Sequence, residues 1–173
     1  MDRRQFIRAG SAASAASVLG LAAGCASTGA GAGGQVVVIG GGYGGATAAK
    51  YIRMWSEGRV QVTLVEPRAR KWAFLSAVAR RAALSCRCLD ARVTGNELPE
   101  LPETVDLVTA RALRVDPAAF ANLASKLAPD ARLLLWTGQA EPEVPPRFVR
   151  GRQVELAGSA HRFLREYRQH APT

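Results

Sequence analysis

Residues 40–45 read GGGYGG, in which Gly40, Gly42 and Gly45 satisfy the spacing G-x-G-x-x-G and Gly40, Gly42 and Gly44 satisfy G-x-G-x-G. Such a run lets a strand turn sharply into a helix and lets backbone approach a ligand with no Cβ in the way. A helix starting there has N–H groups without intrahelical acceptors, and these stabilise an anion such as a phosphate. Glu66 lies 21 residues after Gly45, at the end of the next apolar run, where a carboxylate can accept from two ribose hydroxyls. Glycine turn and acid together predict a nucleotide-binding site. FAD, NAD and S-adenosylmethionine all carry an adenosine ribose, so Glu66 does not choose among them.

The elements that must position these residues follow from periodicity. Residues 35–40 (QVVVIG) form a short β-branched run ending in glycine, the pattern of a buried parallel strand. A turn over 40–45 and a helix from Ala46 to about Ser56 follow, then a second strand over 61–66 (QVTLVE). Residues 69–84 read as a helix with Leu75, Val78, Ala79 and Ala82 as its apolar stripe. Further strands are predicted at 85–93, 105–112 and 131–138, with a helix over 117–127 before the last of these. Two antiparallel edge segments are expected near 147–156 and 161–168. Strands alternating with helices predict a Rossmann-like α/β domain over 34–173, a mostly parallel sheet with helices on both faces.

A chain of 173 residues, 48% hydrophobic and 21% charged, has room for one folded domain of ordinary size. Its net charge is +9; the first 33 residues supply +2 of this, so the body keeps +7, which suits an anionic partner. Three cysteines make no disulfide framework, and Cys86 and Cys88, one residue apart, offer no full zinc site. No metal site is expected. Residues 1–33 read as an export signal and linker: Arg3–Arg4, a short uncharged stretch rich in Ala, Ser and Gly, then STGAGAGG. The RRQFI pattern resembles a twin-arginine signal. Gly24–Cys25 looks like the end of a lipoprotein box, with lipidation at Cys25 the lesser reading against plain cleavage. A periplasmic or membrane-associated location follows if the signal acts, and a cytoplasmic one if it is inert. No stretch of the body has the roughly 20 apolar residues of a spanning helix. Oligomeric state is left open.

Two resemblances then appear. Residues 1–67, through RRQFI, VVVIGGGYGGATAAKYIRMW and VTLVEP, resemble the start of the flavoprotein subunit of flavocytochrome c sulfide dehydrogenase, which implies FAD at the glycine turn. Residues 62–170, through VTLVEPRARKWAFLSAVAR, DARV, VDLVTARAL, LAPDARLLLWTGQ and AGSAHRFLREYR, resemble the bacterial small-subunit rRNA guanine-N7 methyltransferase family, also called glucose-inhibited division protein B. That resemblance implies a class I methyltransferase-type fold using S-adenosylmethionine and acting on RNA. By position it makes Gly40 and Gly45 cofactor contacts, sets Val93 and Thr94 beside the adenine, and makes Arg111 the family's site arginine. It also implies an RNA-facing patch from Arg68, Arg70, Lys71, Arg80 and Arg81, in a stretch, 67–89, without an acid.

The chain departs from that family at three positions. Val38 stands where an acid precedes the glycines, Thr94 where an acid is expected, and Thr137 where a lysine is expected. The family's helical cap is replaced by the export signal. The chain therefore reads as a fusion joined near Val62–Pro67, where both families share a strand. The expected cofactor-binding residues are Gly40, Gly42, Gly44, Gly45, Glu66, Val93, Thr94 and Arg111. No catalytic side chain is assigned, because methyl transfer needs mainly a positioned donor and a pocket. The leading expectation is a methyltransferase-like protein using S-adenosylmethionine. The alternatives are a truncated FAD-binding oxidoreductase fragment and a non-catalytic fusion.

Overall fold

The computed structural model describes residues 33–111, 117–158 and 161–169. The export reading, with Arg3, Arg4 and Cys25, lies outside the described residues. Within them the chain runs β1 (Gln35–Ile39), α1 (Tyr43–Trp55), β2 (Gln61–Val65), α2 (Ala69–Arg81), β3 (Cys86–Leu89), β4 (Val105–Arg111), α3 (Pro117–Ala124), β5 (Leu127–Thr137), β6 (Phe148–Glu155) and β7 (Phe163–Gln169). The described strands form one seven-stranded sheet in the order β3-β2-β1-β4-β5-β7-β6. β1 to β5 are parallel, and β7 runs antiparallel to both β5 and β6.

β1 is apolar from Val36 to Ile39 because both its faces are covered there. Val36 and Val38 pack with Ala49 of α1 and Leu75 of α2. Val37 and Ile39 pack on the other face with Phe120 and Leu123 of α3. Each such buried side chain contributes about 1.5–3 kcal/mol. The order reverses beside β1, whose neighbours are β2 and β4, and ligands of open α/β sheets bind at such a switch point outside the carboxyl ends of the strands.

Several boundaries differ from the sequence reading. α1 begins at Tyr43, three residues before Ala46, so the last glycines belong to its first turn. β3 keeps only Cys86–Leu89 of the predicted 85–93. β5 starts at Leu127 because Leu127 pairs with Val105 before a register shift, and the shift accommodates Pro129 where no ladder bond is required. Of the two expected edge segments, β7 is interior to the sheet and β6 is an edge, exposed along most of its length and bulged between Arg150 and Gln153. Of the expected α2 stripe, Leu75 and Ala79 are buried, whereas Val78 is 41% exposed and Ala82 falls at the C-cap. Val78 fails to bury because α2 lies over the short β3 and leaves a cleft beneath it. No described helix is long and apolar enough to cross a membrane.

Candidate cofactor cleft

β1 ends at Ile39 and the backbone turns at Gly40, whose φ of +98° is a conformation L side chains rarely adopt. The turn is fastened on both sides: Gly40 N–H donates to Val65 O at 2.8 Å, and Gly41 N–H donates to Glu66 Oε2 at 2.8 Å. The other carboxylate oxygen of Glu66, Oε1, accepts from Arg68 N–H at 2.9 Å. Glu66 is thus buried and holds the glycine turn to the start of α2. Each oxygen keeps a lone pair for a further donor, since a carboxylate offers about four acceptor sites.

The glycines serve different needs. A Cβ at Gly45 would meet Gly40 O at 1.8 Å, and one at Gly41 would meet Leu75 Cδ1 at 2.3 Å, so both are demanded by packing of the turn. A Cβ at Gly44 would meet Arg111 Nη1 at 2.3 Å, because that side chain lies across the start of α1. At Gly42 a Cβ would find only Lys71 Nζ at 3.9 Å, so this position opens onto free space. Gly42 is the N-cap of α1 with no side-chain cap, and no acid stands in the first turn. The positive end of the helix dipole is therefore uncompensated by the chain itself.

A cleft of about 570 Å³ lies at this edge of the sheet, and all eight predicted site residues line it. Gly40, Gly42, Gly44 and Gly45 form one side, Glu66 the next, Val93 and Thr94 a third, and Arg111 reaches in from the end of β4. Val93 is also core, packed with the group beneath the sheet. Thr94 is fixed in a local turn: its hydroxyl accepts from Glu97 N–H at 3.0 Å. The Asn122 amide of α3 donates to Thr94 O at 3.1 Å and Gly95 O at 2.6 Å, holding the loop in place.

Sequence reasoning missed Gly41, Arg92 and Asn122. Gly41 was visible as the middle of GGG and Arg92 as the residue before Val93, but nothing marked Asn122. The proposed basic patch divides. Arg68 and Lys71 line the cleft, while Arg70, Arg80 and Arg81 do not. Arg80 and Arg81 are exposed in the last turn of α2, where a cation favours the helix dipole. The cleft instead gathers Arg68, Lys71, Arg92 and Arg111 around a single acid, Glu66. Among the described residues none of these four cations is in an ion pair.

Two positions that depart from the family pattern have structural explanations. Val38 is 1% exposed in the core under α1, so an acid there would need its own partner. Thr137 accepts a hydrogen bond from buried Arg165. That guanidinium also donates to Gln153 Oε1 at 2.9 Å and Gly138 O at 2.9 Å, tying the loop after β5 to β7. Cys86 and Cys88 stand apart from the cofactor cleft. Burial, with Cys88 adding to it, pushes the Cys86 thiol up to about 12, so it is no nucleophile near neutral pH.

No family model matches the sequence. Solved structures do resemble it. A S-adenosylmethionine-dependent methyltransferase from Aquifex aeolicus superposes with a TM-score of 0.64 at 16% identity, over 82% of this chain and 85% of that one. TrmN from Thermus thermophilus gives 0.61 at 20% identity over 79% of this chain, which spans 44% of TrmN. The putative methyltransferase yhhF from Escherichia coli gives 0.60 at 17% identity, over 81% and 79% of the two chains. The fold is that of the class I methyltransferases, a Rossmann-like, mostly parallel seven-stranded sheet.

Proposed function

We propose that the protein binds S-adenosylmethionine in the cleft between Gly40 and Arg111 and transfers its methyl group to an RNA, the guanine-N7 type being the reading that the 62–170 resemblance favours. One observation carries it: eight residues chosen by position along the chain line one cleft at the carboxyl edge of a methyltransferase-type sheet. The residues present fit the adenosine part of the cofactor. Glu66 retains acceptor capacity for ribose hydroxyls, and Val93 supplies an apolar edge for the adenine. The open position at Gly42 leaves room beside the N–H groups of the first turn of α1, which favour the carboxylate of the methionyl part.

When bound, the cofactor supplies an activated methyl group. The chain's own residues position it, exclude water at the Val93 side, and bring cations to the mouth. Arg68, Lys71, Arg92 and Arg111 would attract the phosphates of an RNA acceptor and orient it against the donor. The likenesses to solved structures supply no support for the FAD reading, although the unfilled helix N-terminus would suit a pyrophosphate equally well.

Calorimetry with S-adenosylhomocysteine, followed by transfer of labelled methyl from S-adenosylmethionine to RNA, tests the proposal. Binding at the cleft that Gly42→Val abolishes is the expected result. A purified protein that is yellow with bound flavin, or one that ignores S-adenosylhomocysteine at millimolar concentration, overturns it.

A further inference from the structure

A second cleft, of about 270 Å³, opens between α1 and α2 over the edge of the sheet, with Cys86 and Cys88 of β3 at its floor. Residues two apart on a strand share a face, so both thiols look into the same space. Their pairing confirms this: Cys86 lies beside Val62 and Cys88 beside Leu64, both in the core layer under α1 and α2. Both cysteines line this cleft, so the two sulfurs share one space. The walls are apolar, formed by Leu64, Leu75, Val78, Ala79 and Leu84. The charged groups on the lining are Lys50 and Arg53, and no acid lines it.

We infer that Cys86 and Cys88 form a two-thiolate site for a soft, two-coordinate monovalent cation of the Cu(I) type. Residues i and i+2 of a strand have Cα atoms about 6.6 Å apart, at the upper limit for a disulfide. A linear sulfur–metal–sulfur unit instead needs sulfurs about 4.6 Å apart, twice a thiolate–metal bond of about 2.3 Å. That separation is within reach of two same-face side chains. Hard cations need several oxygen ligands, and a closed zinc site needs four donors. The described residues hold no group of three or more His, Cys, Asp or Glu that could supply them. Thiolates select soft cations.

The balance is simple. One Cu(I) ion and two thiols give a bis-thiolate complex and two protons, which leave to solvent, with no change of oxidation state. The complex carries one negative charge. Arg53 offsets it, held beside the cleft by donation to Gly58 O at 2.6 Å and Val60 O at 2.7 Å. The pair lies on the edge strand away from the cofactor cleft, and its lining shares only Tyr43 with that site. The inference is therefore independent of the proposed methyl transfer.

The test is anaerobic titration of the full chain, carrying Cys25→Ser, against the coloured Cu(I)–bicinchoninate complex. One Cu(I) per chain should be withdrawn, and Cys86→Ser or Cys88→Ser should each weaken the withdrawal at least 100-fold. X-ray absorption of the loaded chain, which needs no further variant at the site, should show two sulfur neighbours and no oxygen or nitrogen. Failure to compete with the chelator, retention of affinity in both folded serine variants, or a copper shell of three or more ligands would each overturn the inference.

Discussion

Replacing Glu66 by alanine separates its two roles. In the free protein the carboxylate accepts from Gly41 N–H at 2.8 Å and Arg68 N–H at 2.9 Å, and the residue is 5% exposed. Each bond to a charged acceptor is worth about 1.5–3 kcal/mol, so the pair sums to about 3–6 kcal/mol. The adjoining cleft admits water to the vacated space, which restores part of this and leaves a net loss of about 2–4 kcal/mol. For a domain of this size each kcal/mol lowers Tm by roughly 3–5 °C. Differential scanning calorimetry of the ligand-free Glu66→Ala chain should then show Tm lower by about 6–20 °C. Glu66→Gln, which keeps one carbonyl acceptor, should lie between. A residue serving only as a ribose ligand would leave the ligand-free Tm where it was. An alanine variant melting within 1 °C of the parent therefore refutes the tie between Glu66 and the glycine turn.

Four further outcomes follow from the same geometry. Gly45→Ala, whose Cβ would lie 1.8 Å from Gly40 O, should lower Tm sharply, while Gly138→Ala, with nothing within 4 Å, should be neutral in the same melt. Burial alone would raise the Glu166 carboxyl, but the Arg168 side chain, the Arg152 N–H and the charges of Arg168 and Arg132 hold it below its ordinary value. Its stabilisation is thus fully present above the unfolded carboxylate value near 4.5 and is lost as pH falls through the lowered one, so the Tm gap between parent and Glu166→Gln should close in that acid window. Arg92→Ala and Arg111→Ala should each reduce the salt slope of RNA binding by about 1, read by fluorescence anisotropy across salt concentrations. With four cations and one acid lining the cleft, S-adenosylhomocysteine should bind more tightly than S-adenosylmethionine, which carries one more positive charge. At about 8 Å in water each excess cation costs about 0.5 kcal/mol, so calorimetry should find a preference of about tenfold.

What was legible in the sequence was what repeats. β1 and β2 announced themselves because a strand covered on both faces is apolar almost throughout, as Val36 to Ile39 are and as Val62 to Val65 are apart from Thr63. The residues that line the candidate cleft were legible because strand ends and the turn after β1 recur at fixed places in an open α/β sheet. The start of α1 was obscured by low helix propensity at Gly44 and Gly45, which the tight turn against Gly40 overrides. Pro129 and Asp130 resembled a turn and concealed the first half of β5. Buried Arg165 lies in a stretch as polar as any surface strand, and its burial is explained by acceptors that converge on it from elsewhere, the carbonyls of 138 to 140 with Thr137 and Gln153. Asn122 reaches the loop beside the cleft by three-dimensional proximity alone, which no spacing along the chain encodes.

The stretches before and after Pro67 contribute differently to the cleft. β1 and the turn pair with β2 on one side and β4 on the other in continuous register. Parallel pairing asks only for the alternation that sends Val62 and Leu64 to one face and Val65 to the other, so a joint anywhere in β2 keeps the sheet. Chemistry is less forgiving than register. The turn supplies close backbone approach and an unfilled helix N-terminus. The second stretch supplies Arg68, Lys71, Arg92 and Arg111, while no acid appears at Val38 or Thr94 to hold an amino group. On the proposed reading, a ribose would be recognised at Glu66, and negative charge at the helix terminus and the arginines. A phosphate-bearing acceptor would then meet the arginines while the donor's carboxylate takes the helix terminus, and the phosphate would reduce the repulsion that the sulfonium otherwise meets. Acceptor and donor binding should thus reinforce each other, each lowering the electrostatic cost of the other.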